Sequence, residues 1–148
     1  MTLLSLLDVN VLLATANPVH EHHAVSMDWW EREAQAGWAS CPLTQNGFLR
    51  ISCQPNYSLP LKFDVALRML TELTANTRHH FWSDDISITD TAIFDHRHIQ
   101  GHRQLTDVYL LALAARNGGR LVTFDRRLSI ESVRGAKPDN LVVLPLEA

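Results

Sequence analysis

Apolar residues come in short runs whose spacing changes along the chain. Leu3-Leu4-Ser5-Leu6-Leu7 is nearly continuous and is cut off by Asp8, the pattern of a strand covered on both faces. Residues 9–16 then fit a helix stopped by Asn17-Pro18. A second helix is predicted over 19–36, with Val25 and Trp29 on one face and Gly37 ending it. Trp38-Ala39-Ser40-Cys41 reads as a short strand, and Thr44 as the cap of a helix through about Ser52. Residues 61–75 give another helix, with Val65, Met69 and Leu73 as its apolar stripe. His80-Phe81-Trp82 reads as a third strand, while 86–94 fits neither period. The clearest helix spans 106–117, with Leu110, Leu113 and Ala114 inward and Gly118-Gly119 as a left-handed cap. Strands over 120–124 and 141–144 follow, the last before Pro145.

This alternation predicts an α/β protein, a three-layer α/β/α domain with a five-stranded parallel sheet and crossover helices. No repeat, low-complexity tract or linker divides the chain, so residues 1–148 are read as a single domain.

Composition narrows the function. The 148 residues are 46% hydrophobic and 20% charged, a soluble globular balance with room for a real core. No apolar run nears the roughly 20 residues a bilayer span needs, so no membrane role is expected. The start lacks a basic leader and reads as a buried strand, not a signal peptide. Cys41 and Cys53 are expected as reduced, core-packed thiols in a cytoplasmic protein. A net charge of -3, with eight neutral histidines, argues against a module that simply coats nucleic acid. It leaves room for a nuclease, whose metal site itself needs acids.

Three acids stand out by position. Asp8 closes the first strand, Asp125 closes the run Leu121-Val122-Thr123-Phe124, and Asp107 opens the long helix after Thr106. Strand ends and helix starts share one edge of a doubly wound sheet, the edge where such folds bind ligands. Carboxylates meeting there would repel by roughly 4 kcal/mol per pair at about 4 Å and an effective dielectric near 20, and a bound cation is the simplest remedy. Each acid also has a plainer reading: Asp8 as a helix cap, Asp107 as a charge favoured by the helix dipole, Asp125 as a turn residue. Asn10 is positioned to steady the loop or a water, and Thr123 shares a strand face with Asp125 if the strand continues. Arg103, Arg126 and Arg127 flank the acids in sequence and are candidate phosphate contacts, as is Arg50; surface solvation is the alternative for each. The clusters His20-Glu21-His22-His23 and His96, His98, His102 invite a zinc reading, but a surface helix start and a polar loop explain them better. Trp29 and Trp30 project about 100° apart on a helix, so Trp29 is assigned to the core and Trp30 to a partly exposed position.

Together these segments resemble a PIN-domain ribonuclease of the VapC type, the toxin half of a bacterial toxin–antitoxin pair. The matching pieces are Leu6-Leu7-Asp8-Val9-Asn10-Val11-Leu12-Leu13, Cys41-Pro42-Leu43-Thr44-Gln45-Asn46-Gly47-Phe48-Leu49-Arg50, Phe81-Trp82-Ser83-Asp84-Asp85, Gly101-His102-Arg103-Gln104-Leu105-Thr106-Asp107 and Leu121-Val122-Thr123-Phe124-Asp125. The resemblance implies Mg²⁺, with Mn²⁺ as a substitute, held by Asp8 and Asp107 as primary ligands. It makes Asp125 the further acid, direct or through water, with Asn10, Asn46 and Thr123 as accessory groups. It further implies hydrolysis of structured RNA in tRNA or rRNA loops, for which the flanking Arg50, Arg103 and Arg126 are this sequence's own candidate RNA contacts, a cognate antitoxin, and a homodimer. One departure stands out: many members carry a glutamate at the start of the third helix, where this chain has Gln45 and Asn46. An amide supplies no charge, which leaves one ion or two open, with Asp84 or Asp85 as possible substitutes.

Two other classes compete. One is a catalytically weakened PIN-like module that binds a metal or a partner. The other is a receiver-like domain phosphorylated on aspartate, which needs a strand-end lysine that this chain does not offer.

Overall fold

The computed structural model describes residues 3–145. Five short strands, β1 (Ser5–Leu7), β2 (Trp38–Ser40), β3 (His79–Phe81), β4 (Arg120–Thr123) and β5 (Leu141–Val143), form one sheet in the order β3-β2-β1-β4-β5. Every pairing is parallel, as predicted. The chain builds outward from β1 to β3, then returns to lay β4 against the free side of β1. The direction of winding therefore reverses between β1 and β4, which in open α/β sheets opens a crevice at the carboxyl ends of the two strands.

Period-2 alternation sorts the side chains onto two cores. Leu7, Trp38 and Val122 face the helices α1 (Val9–Ala16), α2 (His23–Glu33), α3 (Pro42–Ser52) and α4 (Phe63–Thr74). Leu6, Ala39 and Leu121 face α5 (Leu105–Arg116), with Phe94, Leu128 and Val133 from the flanking loops. These are the three layers the sequence predicts.

Several boundaries shift for local reasons. The second helix begins at His23, not at 19, because Asn17 turns the chain: its side-chain oxygen accepts the Val19 N–H and its carbonyl accepts the His20 N–H. Thr44 is not a cap. Cys41 precedes the helix, Pro42 opens it, and the Thr44 hydroxyl accepts the Cys41 N–H at 3.0 Å from within the first turn. On α4 the deepest residues are Ala66 and Leu70, Met69 and Leu73 pack at the margin, and Val65 is half-buried outside that cluster. The third strand lies one residue earlier than predicted and is largely exposed, so no clean alternation marked it. Residues 86–94 form turns in which the Asp90 side chain accepts the Ala92 N–H. Trp29 is buried as expected, and Trp30 packs edge-on against Trp38 at 5.2 Å. Both cysteines are free thiols, Cys41 buried and Cys53 half-buried. Among the described residues no helix is long and apolar enough to cross a membrane.

Candidate active site

Asp8, Asp107 and Asp125 all come to the rim at the β1–β4 crevice. Asp8 follows β1 and caps α1: one carboxylate oxygen accepts the Val11 N–H at 2.9 Å, and the other accepts the Thr123 hydroxyl. Its own N–H donates to the Val122 carbonyl at 3.1 Å, tying the turn to β4. Only 2% of Asp8 is exposed. Asp107 lies in the first turn of α5, which runs antiparallel to β4 and so starts at the same rim. Asp125 follows β4; its N–H donates to the Thr123 hydroxyl at 3.1 Å, and its carboxylate accepts the Arg127 N–H at 2.9 Å. Thr123 thus joins the two strand ends, its hydroxyl giving to Asp8 and receiving from Asp125. A crevice of about 460 Å³ opens here, lined by Asn10, Arg103, Asp107, Phe124, Asp125, Arg126 and Arg127.

Asp8 and Asp107 are costly to ionise. Burial pushes Asp8 up to about 6, against the hydrogen bonds from Thr123, Val11 and Asn10 that favour its charge and with the Asp125 charge adding to the rise. Asp107 is pushed up to about 7 by burial and by the Asp8 and Asp125 charges. Of the pair Asp8 and Asp107, the second to ionise bears the repulsion. Among the described residues no three His, Cys, Asp or Glu side chains are drawn into a ligand cluster. The donor set is nonetheless that of a hard divalent cation: carboxylate and amide oxygens at an accessible crevice, with Asp107 receiving no hydrogen bond from any described residue. Mg²⁺ commonly uses one or two carboxylates and keeps several waters, so two acids suffice to fit it.

Not every predicted residue joins the crevice. Arg103 and Arg126 line it, and Arg126 also donates to the Pro145 carbonyl at 3.1 Å. Asn46 is exposed on α3 and does not line it. Arg50 stands in the last turn of α3, about 12 Å along the axis from Pro42 at 1.5 Å per residue. Gln45 turns to the sheet, its amide donating to the Ser40 hydroxyl at 3.0 Å. Asp84 accepts the Leu43 N–H at 3.0 Å and Asp85 lies 3.7 Å from Arg116, so both acids are engaged elsewhere. Within the histidine clusters His23 pairs with the Ala14 carbonyl and His96 with the Ile88 carbonyl.

Sequence reasoning missed Phe124 as a wall of the crevice. Strand alternation would have turned it from Thr123, but β4 ends at Thr123 and the ring instead meets His22 at 5.1 Å. It also missed that Arg127 braces Asp125, for which the spacing of two residues after a turn acid was the available signal.

A family model described as the PIN domain matches residues 5–133. Ribonuclease VapC44 of Mycobacterium tuberculosis is 41% identical over 140 residues, 95% of this chain and 99% of that protein. Ribonuclease VapC38 of the same organism is 47% identical over 124 residues, covering 82% of this chain and 85% of its own. Among solved structures, VapC20 of Mycobacterium tuberculosis, described as a sarcin-ricin loop cleaving toxin, superposes with a TM-score of 0.59 at 10% identity, covering 78% of this chain and 85% of its own. VapBC2 of Rickettsia felis, bound to a DNA fragment from its promoter, superposes with a TM-score of 0.54 at 12% identity, covering 82% and 88%. Identities that low speak to the fold alone.

Proposed function

This chain belongs to the PIN-domain family, in its VapC branch, and on that premise we propose that it is a divalent-metal-dependent endoribonuclease acting as the toxin of a toxin–antitoxin pair. The observation that carries the reading is the gathering of one buried and two half-buried acids at the β1–β4 crevice, where burial and neighbouring charge hold Asp8 and Asp107 well above the usual carboxylate range. A folded chain tolerates that cost where a cation is to be held.

Asp8 and Asp107 would hold Mg²⁺ or Mn²⁺, with Asp125 as the further acid, direct or through water. When bound, the ion supplies positive charge that neutralises the acids, orients a phosphodiester oxygen and acidifies a water. The protein's own groups do the rest. Thr123 fixes the Asp8 carboxylate by hydrogen bond, and Arg127 fixes that of Asp125. Asn10 sits at the mouth, able to orient a water by its amide, and Arg103 and Arg126 offer cations to the RNA backbone. Asn46 and Arg50 would act only on RNA that extends over α3.

Single-stranded loops of tRNA or rRNA are the substrate class, since only unstacked strands can be laid into such a crevice. A cognate antitoxin restrains the enzyme, a homodimer is its working form, residues 1–148 act as one domain, and the cytoplasm is its compartment.

The test is cleavage of total cellular RNA by purified protein with Mg²⁺, with EDTA, and with Asp8→Asn. Cleavage should require the metal and fall at least 100-fold in the variant, about the scale of losing one charge-stabilising group in the reaction. Cleavage that persists in EDTA would falsify the reading. Metal binding without cleavage would instead favour the weakened module, for which the Gln45 and Asn46 amides in place of a glutamate are the supporting observation.

A further inference from the structure

Beside the carboxylate crevice lies a smaller cavity of about 190 Å³, lined by Gln100, Gly101, His102, Arg103, Gln104 and Arg127. Arg103 and Arg127 line both hollows, so the two share a wall. Their chemistry differs. The crevice contains carboxylates, whereas the smaller cavity has two guanidinium groups, an imidazole and two amides, and no acid among its lining.

The loop that builds it is held in shape. Gly101 takes φ 135°, a conformation L side chains rarely adopt, and this turns the chain into the 3₁₀ segment His102–Gln104. The Gln104 amide then donates to the Arg127 carbonyl at 3.4 Å, linking this loop to the one after β4. Arg103 has no hydrogen-bond or ion-pair partner among the described residues. Arg127 lies 3.8 Å from Asp125 with 76% of its side chain exposed, so most of its five donors face solvent. An unpaired guanidinium beside a second, mostly open one is suited to bidentate capture of a phosphate. The volume equals about six waters at roughly 30 Å³ each, enough for one phosphodiester group with part of its hydration.

We propose that this cavity is a phosphate subsite in which Arg103 and Arg127, with His102 and the Gln104 amide at its edge, hold the RNA phosphate adjacent to the one being cleaved. The inference rests on the nuclease reading and adds to it a division of labour. Acids take the reacting phosphate through a cation, and the arginines, whose charge needs no cation, take its neighbour and fix the register of the strand. An anionic strand approaching a crevice of carboxylates needs such an anchor.

Binding without chemistry tests it. A short fluorescein-labelled oligouridylate is titrated, in EDTA, into Asp8→Asn protein across a range of KCl, and log K is plotted against log salt. Adding Arg103→Gln and Arg127→Gln together should weaken binding at least 10-fold and reduce the slope by about 0.7, the value for one lost single-strand phosphate contact. Arg127→Lys, which keeps the charge, should restore most of the slope. Lys137→Gln, an exposed change just ahead of β5 and thus at the opposite rim, should leave it unaltered. An unchanged slope in the double arginine variant, or no binding by the parent, overturns the subsite. Cleavage by the unaltered protein is scored separately. Metal-dependent cleavage with an unchanged slope keeps the nuclease and rejects the subsite; a reduced slope without cleavage supports the subsite and rejects the nuclease.

Discussion

Asp107 receives no hydrogen bond from any described residue, and burial with the Asp8 and Asp125 charges pushes it up to about 7. The folded chain therefore keeps this proton to higher pH than the unfolded chain, whose carboxyl titrates near 3.8. Between about pH 4 and about pH 7 the folded state binds more protons, so this group lowers stability as pH rises and exerts its full cost above about pH 7. Asp8, raised to about 6, acts in the same direction over a narrower window. Thermal unfolding of metal-free protein should accordingly give a melting temperature that falls across this range relative to that of Asp107→Asn, with added Mg²⁺ or Mn²⁺ recovering it above about pH 7. A melting temperature that rises relative to that variant through the same range would contradict the carboxylate account. Asp107→Asn removes the charge without removing an accepted hydrogen bond. It should stabilise the metal-free protein by about 1–3 kcal/mol near pH 8, less than the full shift implies because the group is partly solvated, while abolishing cleavage. Urea unfolding and an RNA assay on one preparation would check both.

Helix placement decides whether Asp8 is held where it is needed. Gly47 on α3 meets α1 so closely that an added Cβ would lie 2.7 Å from Val9 Cγ2, and Val9 is the residue after Asp8. Gly47→Ala should cost about 1–3 kcal/mol by overpacking and also weaken cleavage by displacing the start of α1. Val9→Ala in the same chain should recover much of both, which a double-mutant cycle in urea would measure. The elements themselves were unevenly legible. α5 could be placed from its apolar positions and from Gly118, which takes φ 67° after the helix. The start of α2 could not, because Asn17 carries turn hydrogen bonds that an apolar pattern does not record. Thr44 has the chemistry of a cap, yet Pro42 claims the first helical position and moves the boundary. β3 is too exposed to alternate.

The arrangement of the whole molecule explains why acids far apart in sequence meet. With strand order β3-β2-β1-β4-β5, the ends of β1 and β4 adjoin and the start of α5 lies over them. Position at a strand end, or at a helix start in the case of Asp107, was enough to single out Asp8, Asp107 and Asp125. Asn46 and Arg50 are not among the residues lining that crevice, because the rise and phase of α3 carry side chains along it away from the start of the helix. Substitution should reflect this: Arg103→Ala should lower kcat/KM by about 10-fold or more, while Arg50→Ala should stay within about 2-fold, as for most surface changes. A larger loss at Arg50 would mean that RNA crosses α3. The central claim, that Asp8 and Asp107 jointly hold a divalent cation, is met most directly by calorimetric titration of Mn²⁺ into the unaltered protein, Asp8→Asn and Asp107→Asn. The unaltered protein should bind and, near pH 6.5, release up to about one proton as Asp107 ionises, with at least 10-fold weaker binding in each variant. Equal affinity in all three proteins would contradict it.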